Sequence, residues 1–428
     1  MLHFACNHEQ NTSHVMVDVQ QPFVQSLYQE LLLNHQKGVR TYGFSQGQTP
    51  VSYVSMTNRA PILQHIKDFF YFHSVHDYVY ESLAQHKMVT IGPAELSHIS
   101  LENEDQKISY QFNVSIIDPG FKNEWKRLHF KPPCRKNYKD LDKQAELFIQ
   151  TETKNGLQIS NTIAMHDWVC FSIKIYGYQE LPILPDYKQT FWLKISNEEP
   201  DSEAQKLFID KKVGDIFINT SPFLQELVSS TFDSDYRFEI EIIDRIPTQA
   251  FSLDYFRQHF RLKSNKDIHS KLIEIFSFRN DISQRRETAH SAYNLLIKNF
   301  PLALPEDRIK ERQRELLHEI HTNPDYLVYK KQSDFNDITY KLATRQLYET
   351  ILIDYIAYQE NIEATHQDIV YYLNFMQRPR MQEFLFFRLP STKLQDQEMP
   401  LTAQQIKQQC LREKTLNHVI NHLTKKQS

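Results

Sequence analysis

The chain has 428 residues, with 49 Lys plus Arg against 53 Asp plus Glu and a formal charge of -4. No global basic field points to nucleic acid, and DNA is not expected as a partner. Hydrophobic residues make up 40% and charged residues 24%, a balance that excludes a disordered chain and, at roughly 100–200 residues per domain, calls for several domains rather than one core.

In chain order, Val15-Met16-Val17-Asp18-Val19 alternates apolar and polar residues as a half-buried strand does. Pro22 opens a helix whose Val24, Leu27, Tyr28, Leu31 and Leu32 share one face. From Gly38 to Pro50 the chain reads as an exposed loop, with Gly43 and Gly47 bracketing Phe44, Ser45 and Gln46. Pro61 to Gln85 is a second helical region, and Ile108, Tyr110, Phe112, Val114 and Ile116 mark a returning strand. These elements make a small α+β domain over 1–118. A connector over 119–154 follows, with a charged helical stretch from Asn137 to Thr151. Short strands at 168–173, 190–195, 216–218 and 238–243, separated by turn residues, make 155–247 mostly β. The remainder, 248–428, contains no glycine and is helical in character, with several long helices. Leu347, Ile351, Tyr355 and Tyr358 share a face of one, Ser333 and Asp334 are candidate caps at its start, and Thr365 and Asp368 form a capping-box pattern before the next. The fold class is thus α+β, multidomain and elongated.

Several chemistries lack their signatures. The 8 glycines are too scattered for a dinucleotide fingerprint or a phosphate-cradling loop, and no cofactor is expected. His318-Glu319-Ile320-His321 is not the zincin pattern, and His73 and His76 read as polar-face histidines, so no metal site is assigned. No residue is singled out as catalytic. Cys6, Cys134, Cys170 and Cys410 have no C-x-x-C spacing and read as reduced thiols. The start of the chain lacks a signal-peptide pattern and no run of ~18 apolar residues follows, so a cytoplasmic location without membrane contact is expected.

The aromatics say more. With 28 Phe, 22 Tyr and 3 Trp the chain is 12% aromatic, and Phe384-Leu385-Phe386-Phe387 sits in an otherwise charged, helical region. Large apolar residues at helical spacing are ordinarily core. An extended helical body, however, cannot hide all of them, and leftover apolar area in a cleft suits a protein that holds other unfolded chains.

Order and motif together resemble a known family. Gly43-Phe44-Ser45-Gln46-Gly47-Gln48-Thr49-Pro50 is similar to the ribosome-docking signature G-F-R-x-G-K-x-P of bacterial trigger factors. Phe112-Asn113-Val114, Lys211-Lys212-Val213-Gly214-Asp215-Ile216-Phe217 and Glu413-Lys414-Thr415-Leu416 resemble further family segments in the same order, over nearly the whole chain. The resemblance implies a ribosome-docking domain (1–118), a linker (119–154), an FKBP-like prolyl isomerase domain (155–247) and a helical chaperone domain with arms (248–428). It implies an ATP-independent chaperone that meets nascent or unfolded polypeptides at the ribosome and assists folding or export, and it allows a homodimer in the free state. Gly43, Phe44, Ser45, Gln46, Gly47 and Pro50 become candidate ribosome contacts. Ile351, Tyr355, Leu373, Phe384, Leu385 and Phe387 become candidates for a client cradle, divided between helix packing and client surface.

The chain also departs from the family. Ser45, Gln46 and Gln48 replace basic residues and leave Arg40 and Lys37 nearby, which predicts weaker and less salt-dependent docking on a polyanion. Asp201-Ser202-Glu203-Ala204 stands where the family builds its apolar proline pocket, and Lys174-Ile175-Tyr176-Gly177 where it has a second pocket turn. A proline site works by excluding water, so the isomerase pocket reads as degenerate, with Trp168, Phe208 and Phe238 as its candidate aromatic walls. A working isomerase and a ribosome-independent helical adaptor remain the alternative readings.

Overall fold

The structure, a computed structural model, describes residues 2–9, 12–102, 107–135, 139–155, 161–177, 181–185, 187–228, 236–248, 253–321, 326–389, 393–394 and 397–425. Strands β1 (Leu2–Glu9) and β2 (Thr12–Val19) pair antiparallel. Helices α1 (Gln21–Gly38), α2 (Val51–Thr57), α3 (Arg59–Phe70) and α4 (His76–Gln85) follow, and β3 (Glu95–Glu102) and β4 (Lys107–Ser115) return, giving a sheet in the order β1-β2-β4-β3. Val15, Val17 and Val19 lie opposite Phe112, Tyr110 and Ile108. Alternation in both strands therefore places all six on one face, where Leu27, Leu31, Ile62, Ile66 and Phe69 cover them. The helical run expected over Pro61–Gln85 is present, with a π-turn at Tyr71–Val75 between α3 and α4. Strands β1 and β3 are additions. In β3 a bulge between Leu96 and His98 shifts the register, so the apolar residues Leu96, Ile99 and Leu101 fall out of step with period two.

The second unit contains α5 (Lys139–Asn155), β5 (Trp168–Tyr176), β6 (Gln189–Lys194), α6 (Ser202–Phe208), β7 (Ile216–Asn219), α7 (Pro222–Val228) and β8 (Arg237–Ile246). Its sheet is buried on two faces. Val169, Phe171, Ile173, Phe191, Ile240 and Ile242 join Phe208 and the first unit in one continuous core. Hydrogen bonds cross that seam, among them His65 Nε2 to Tyr236 Oη at 2.7 Å and His73 Nδ1 to Gln189 Oε1 at 2.8 Å. His73 is thus a buried residue, not the polar-face histidine its sequence suggested. On the other face, Trp168, Cys170, Trp192 and Ile246 pack against the carboxyl-terminal helices.

Those helices are α8 (Leu253–Phe260), α9 (Asn265–Phe276), α10 (Gln284–Asn299), α11 (Glu306–His321), α12 (Tyr326–Lys330), α13 (Phe335–Gln359), α14 (His366–Met376) and α15 (Ala403–Lys425). The region is not all helical. Strands β9 (Phe278–Arg279) and β10 (Ile282–Ser283) pair, as do β11 (Lys393–Leu394) and β12 (Gln397–Glu398), and β13 (Leu401–Thr402) adds to β6 through Leu401 opposite Trp192. The middle sheet therefore runs β13-β6-β5-β8-β7. Phe384 ends a 3-10 turn and Leu385–Phe387 leave the helical conformation, correcting the helical setting expected for that cluster. Asp334 stands before α13 without a side-chain cap bond. The capping box at α14 is complete, and Asp368 serves as well as Glu because its carboxylate reaches the Thr365 N–H at 2.8 Å.

The stretch expected as a connector lies against this body. Phe121, Trp125 and Phe130 are buried among Leu296, Ile353 and Leu416, and α5 packs on α9. The chain is nonetheless open: a compact protein of 51.0 kDa exposes about 17,000 Å2, and this one exposes 23071 Å2.

Candidate functional site

The first projection is the loop after α1. Gly43 (φ +86°) and Gly47 (φ +80°) adopt the left-handed backbone that L-residues disfavour. Tight turns close at each, with Phe44 N–H donating to Thr41 C=O and Gln48 N–H to Ser45 C=O, both at 3.0 Å. The base is pinned by the buried Thr49, whose hydroxyl donates to Thr41 Oγ1 at 3.1 Å and whose carbonyl accepts from Gln36 Nε2 at 2.7 Å. A fixed base displays the tip: Tyr42 is fully exposed and Phe44 is 46% exposed. Gly43, Ser45, Gln46 and Pro50 are exposed beside them, and Gly47 is half-buried against the Lys37 backbone. The turn delivers the chain into α2, whose only buried residue is Val54, so Tyr53 and Met56 (83% exposed) extend the apolar crest. Tyr42 lies in the loop read as exposed, whereas Tyr53 and Met56 were not legible as surface, because apolar residues in a short helix ordinarily signal packing.

The second projection is the hairpin of α11 and α13. Its base is a packed seam in which Ile309, Ala343 and Leu347 are buried, tied by Gln313 Nε2 donating to Thr339 Oγ1 at 2.9 Å and Arg312 Nε donating to Gln346 Oε1 at 3.0 Å. Arg308 fastens α11 to the first unit through Glu95 and the Ser115 hydroxyl. Towards the tip the packing ends. Helix α12 has no buried residue, and Leu327 (67% exposed), Val328, Tyr329, Ile338 and Leu342 all reach solvent. Leu327, Val328 and Tyr329 stand on α12, and Ile338 and Leu342 lie on the outward side of α13 beside the seam; five large apolar side chains exposed on one hairpin exceed the scatter of single exposed residues normal on a soluble surface.

Between the first unit and the helical body lies a cleft of about 530 Å3, walled by α4, the end of α13 and the start of α15, with Tyr80, Glu81, Met88, Tyr358, Lys407 and Leu411 among its lining. Burial pushes the Glu81 carboxyl up from its ordinary range, opposed by the charge of Lys407, and burial likewise raises the Tyr358 phenol. The cleft thus offers apolar walls with charge of both signs at its mouth.

The six residues expected to divide between packing and client surface all pack. Ile351, Tyr355, Leu373, Phe384, Leu385 and Phe387 are buried. Tyr355 Oη accepts from Lys122 N–H at 3.2 Å, Phe384 stacks among Phe256, Phe260 and Phe375, and the Phe386 and Phe387 N–H groups donate to the buried carboxylate of Glu413. For Ile351, Tyr355 and Leu373 helical spacing marks the face that neighbouring helices cover, and the exposed apolar residues lie on the α11–α13 hairpin instead.

The three candidate pocket walls do not meet. Phe208 and Phe238 lie in the core shared with the first unit, whereas Trp168 lies on the opposite sheet face. Side chains on successive strand positions point to opposite faces, and Trp168 has the parity of Cys170, not of Phe171. Phe208 is sealed against Phe171 at a centroid distance of 4.8 Å. Asp201 is buried and accepts from Glu398 N–H at 2.9 Å, joining α6 to the β11–β12 hairpin.

No family model matches the chain, and no curated protein does. Among solved structures the chain is similar to one described as "Promiscuous Substrate Recognition in Folding and Assembly Activities of the Trigger Factor Chaperone", with 13% identity, 97% of this chain and 98% of that chain covered, and a TM-score of 0.36. A likeness of that depth does not by itself establish a function. Among the described residues no helix is long and apolar enough to cross a membrane.

Proposed function

We propose that the protein is an ATP-independent chaperone that holds newly made or otherwise unfolded polypeptides on exposed apolar projections, with the 43–50 loop docking it at the ribosome. The single observation that carries the holding function is the exposed apolar set Leu327, Val328, Tyr329, Ile338 and Leu342 on a hairpin whose α11–α13 seam is packed and hydrogen-bonded. Burying one such side chain fully gains ~1.5–3 kcal/mol. A few partial contacts, less the ordering of the client, give binding that is useful yet quickly reversed. The Tyr42, Phe44, Tyr53 and Met56 crest supplies a second surface, and the cleft between the units gives a held segment room.

Ribosome docking is supported by the resemblance of the 43–50 loop and by the exposure of Phe44. With no cation at positions 45, 46 or 48, apolar contact would dominate and the salt dependence would be shallow. We assign the middle unit a joining rather than an isomerising role, because Phe208 and Phe238 are spent in its core. Two measurements test the reading. The protein without ATP should suppress light scattering by an enzyme diluted out of denaturant, and a chain that leaves scattering unchanged at a several-fold excess would refute holding. Cosedimentation with ribosomes across a salt series should be lost in Phe44→Ala; absence of wild-type binding at every salt concentration would instead favour a ribosome-independent adaptor.

A further inference from the structure

The geometry points to strand β7 as a docking edge for an extended polypeptide segment, which would add to the middle sheet as a sixth strand. Strand β7 closes the sheet order on one side and has no neighbour beyond it among the described residues. Its phase is set by Ile242 N–H donating to Asp215 C=O at 3.0 Å and by the register that sets Phe217 opposite Ile240. In an antiparallel pair, bonded and non-bonded positions alternate. Phe217 and Asn219 therefore spend their backbone groups on β8, and Ile216 and Ile218 turn theirs to the open edge.

The side chains agree with the backbone. Ile216 is 63% and Ile218 60% exposed, and Val213 just before them is also exposed. Natural sheets blunt such an edge with Lys, Pro, a bulge or a cover, since bare β-branched residues beside unpaired amides invite another strand. Among the described residues no Lys, Pro, bulge or cover blunts positions 216–218, although the opposite edge of the same sheet is closed by the chain's own β13. The fold thus already accepts one short extended segment on one edge and leaves the other bare.

The size of the edge selects its occupant. Four residues span about 14 Å, so pairing β7 with β7 of a second copy would bury on the order of 400 Å2, far below the roughly 1,200 Å2 of a stable interface. A single extended segment needs no such area, because its main-chain bonds and two or three side-chain contacts suffice for transient capture. Glu239 and Glu241, opposite Ile218 and Ile216 on β8, are engaged by Tyr176 and Lys188, so the exposed isoleucines set the preference and the fitting segment is apolar at alternate positions. This inference rests on the chaperone reading and specifies the backbone conformation in which part of a client is held.

The test uses the full chain and a fluorescent heptapeptide of alternating threonine and valine. The Ile218 N–H points away from β8, so Ile218→Pro removes an edge donor without breaking the ladder, as proline is tolerated on an outward edge; Ile218→Thr keeps the donor and loses apolar area. Expected are peptide binding by anisotropy, slowed hydrogen exchange at the Ile216 and Ile218 amides on saturation, affinity about tenfold weaker for the proline variant, and a smaller loss for the threonine variant. Equal affinity of wild type and the proline variant, or unchanged exchange at both amides while peptide is bound, would overturn the edge assignment and leave the chaperone reading standing. A doubled mass in sedimentation that protects the same amides without peptide would assign the edge to a second copy and overturn it. Failure to bind any unfolded polypeptide would overturn both.

Discussion

Lowering the pH from 7 to 5 should loosen the seam between the amino-terminal unit and the middle sheet. His65, from α3, and His73, from the following π-turn, are buried in that seam, and each has its pKa pushed from 6.5 down to about 4 by burial. The neighbouring His35 charge adds to the shift at His65, whereas the Gln189 hydrogen bond and Asp77 oppose it at His73. The folded chain therefore holds both rings neutral where the unfolded chain protonates them. Their contribution is complete above pH 6.5 and is lost as the pH falls through about 4. For a group moving between those two values, the change from pH 7 to pH 5 is about 2 kcal/mol, or about 4 kcal/mol for the pair.

The assay is urea unfolding at the two pH values for the wild type and a His65→Phe/His73→Leu double variant. The quantity to compare is the loss on acidification, because the variant also changes absolute stability by removing the histidine hydrogen bonds to Tyr236 and Gln189. Other groups, including the buried His259, titrate in both proteins and cancel. The double variant should lose about 4 kcal/mol less than the wild type between pH 7 and 5. Equal losses, or ring-proton resonances of His65 and His73 that titrate near 6.5, would refute the reasoning.

Three further outcomes rest on particular contacts. Thr365→Ala removes the side-chain acceptor of the α14 capping box and should cost about 1 kcal/mol in urea unfolding. Arg412→Met strips both bonds, 2.9 and 2.7 Å, from the buried Asp354 carboxylate and should cost about 3–5 kcal/mol by the same measurement, since it leaves an uncompensated buried charge. Gly47→Ala places a Cβ on a left-handed backbone at a strain of about 1–2 kcal/mol; it should weaken ribosome cosedimentation while leaving scattering suppression by the hairpin intact.

Much of the architecture is legible in residue order. Strands β2 and β4 announce themselves because each is covered on one face only, so alternation survives; the α14 cap announces itself because its chemistry is local. Strand β3 is hidden by its bulge, and β13 because two residues carry no periodicity at all. The candidate site is less legible for a single physical reason. Period identifies which face of a helix is apolar but not what lies against it. Ile351, Tyr355 and Leu373 show the same spacing that an exposed cradle would show, yet helices distant in sequence cover them. Leu327 and Val328 look like core and are bare because α12 lies at the turn of a hairpin, where only Tyr326 packs back, against His321 and Phe335, among the described residues' ring contacts. Likewise Trp168 and Phe208 are both aromatic and buried, but the parity of β5 sends Trp168 to one sheet face and Phe171 to the other, where Phe208 of α6 packs against it.

The central claim is that the exposed apolar residues of the α11–α13 hairpin hold unfolded chains. It is tested most directly by the affinity of a labelled, permanently unfolded polypeptide for the wild type and for a Leu327→Ser/Val328→Ser/Ile338→Ser/Leu342→Ser variant. All four side chains are exposed, so the variant should unfold at the wild-type denaturant midpoint, and partial burial of four apolar groups in the complex predicts binding weaker by at least about tenfold. Unchanged affinity in a normally folded variant would contradict the account.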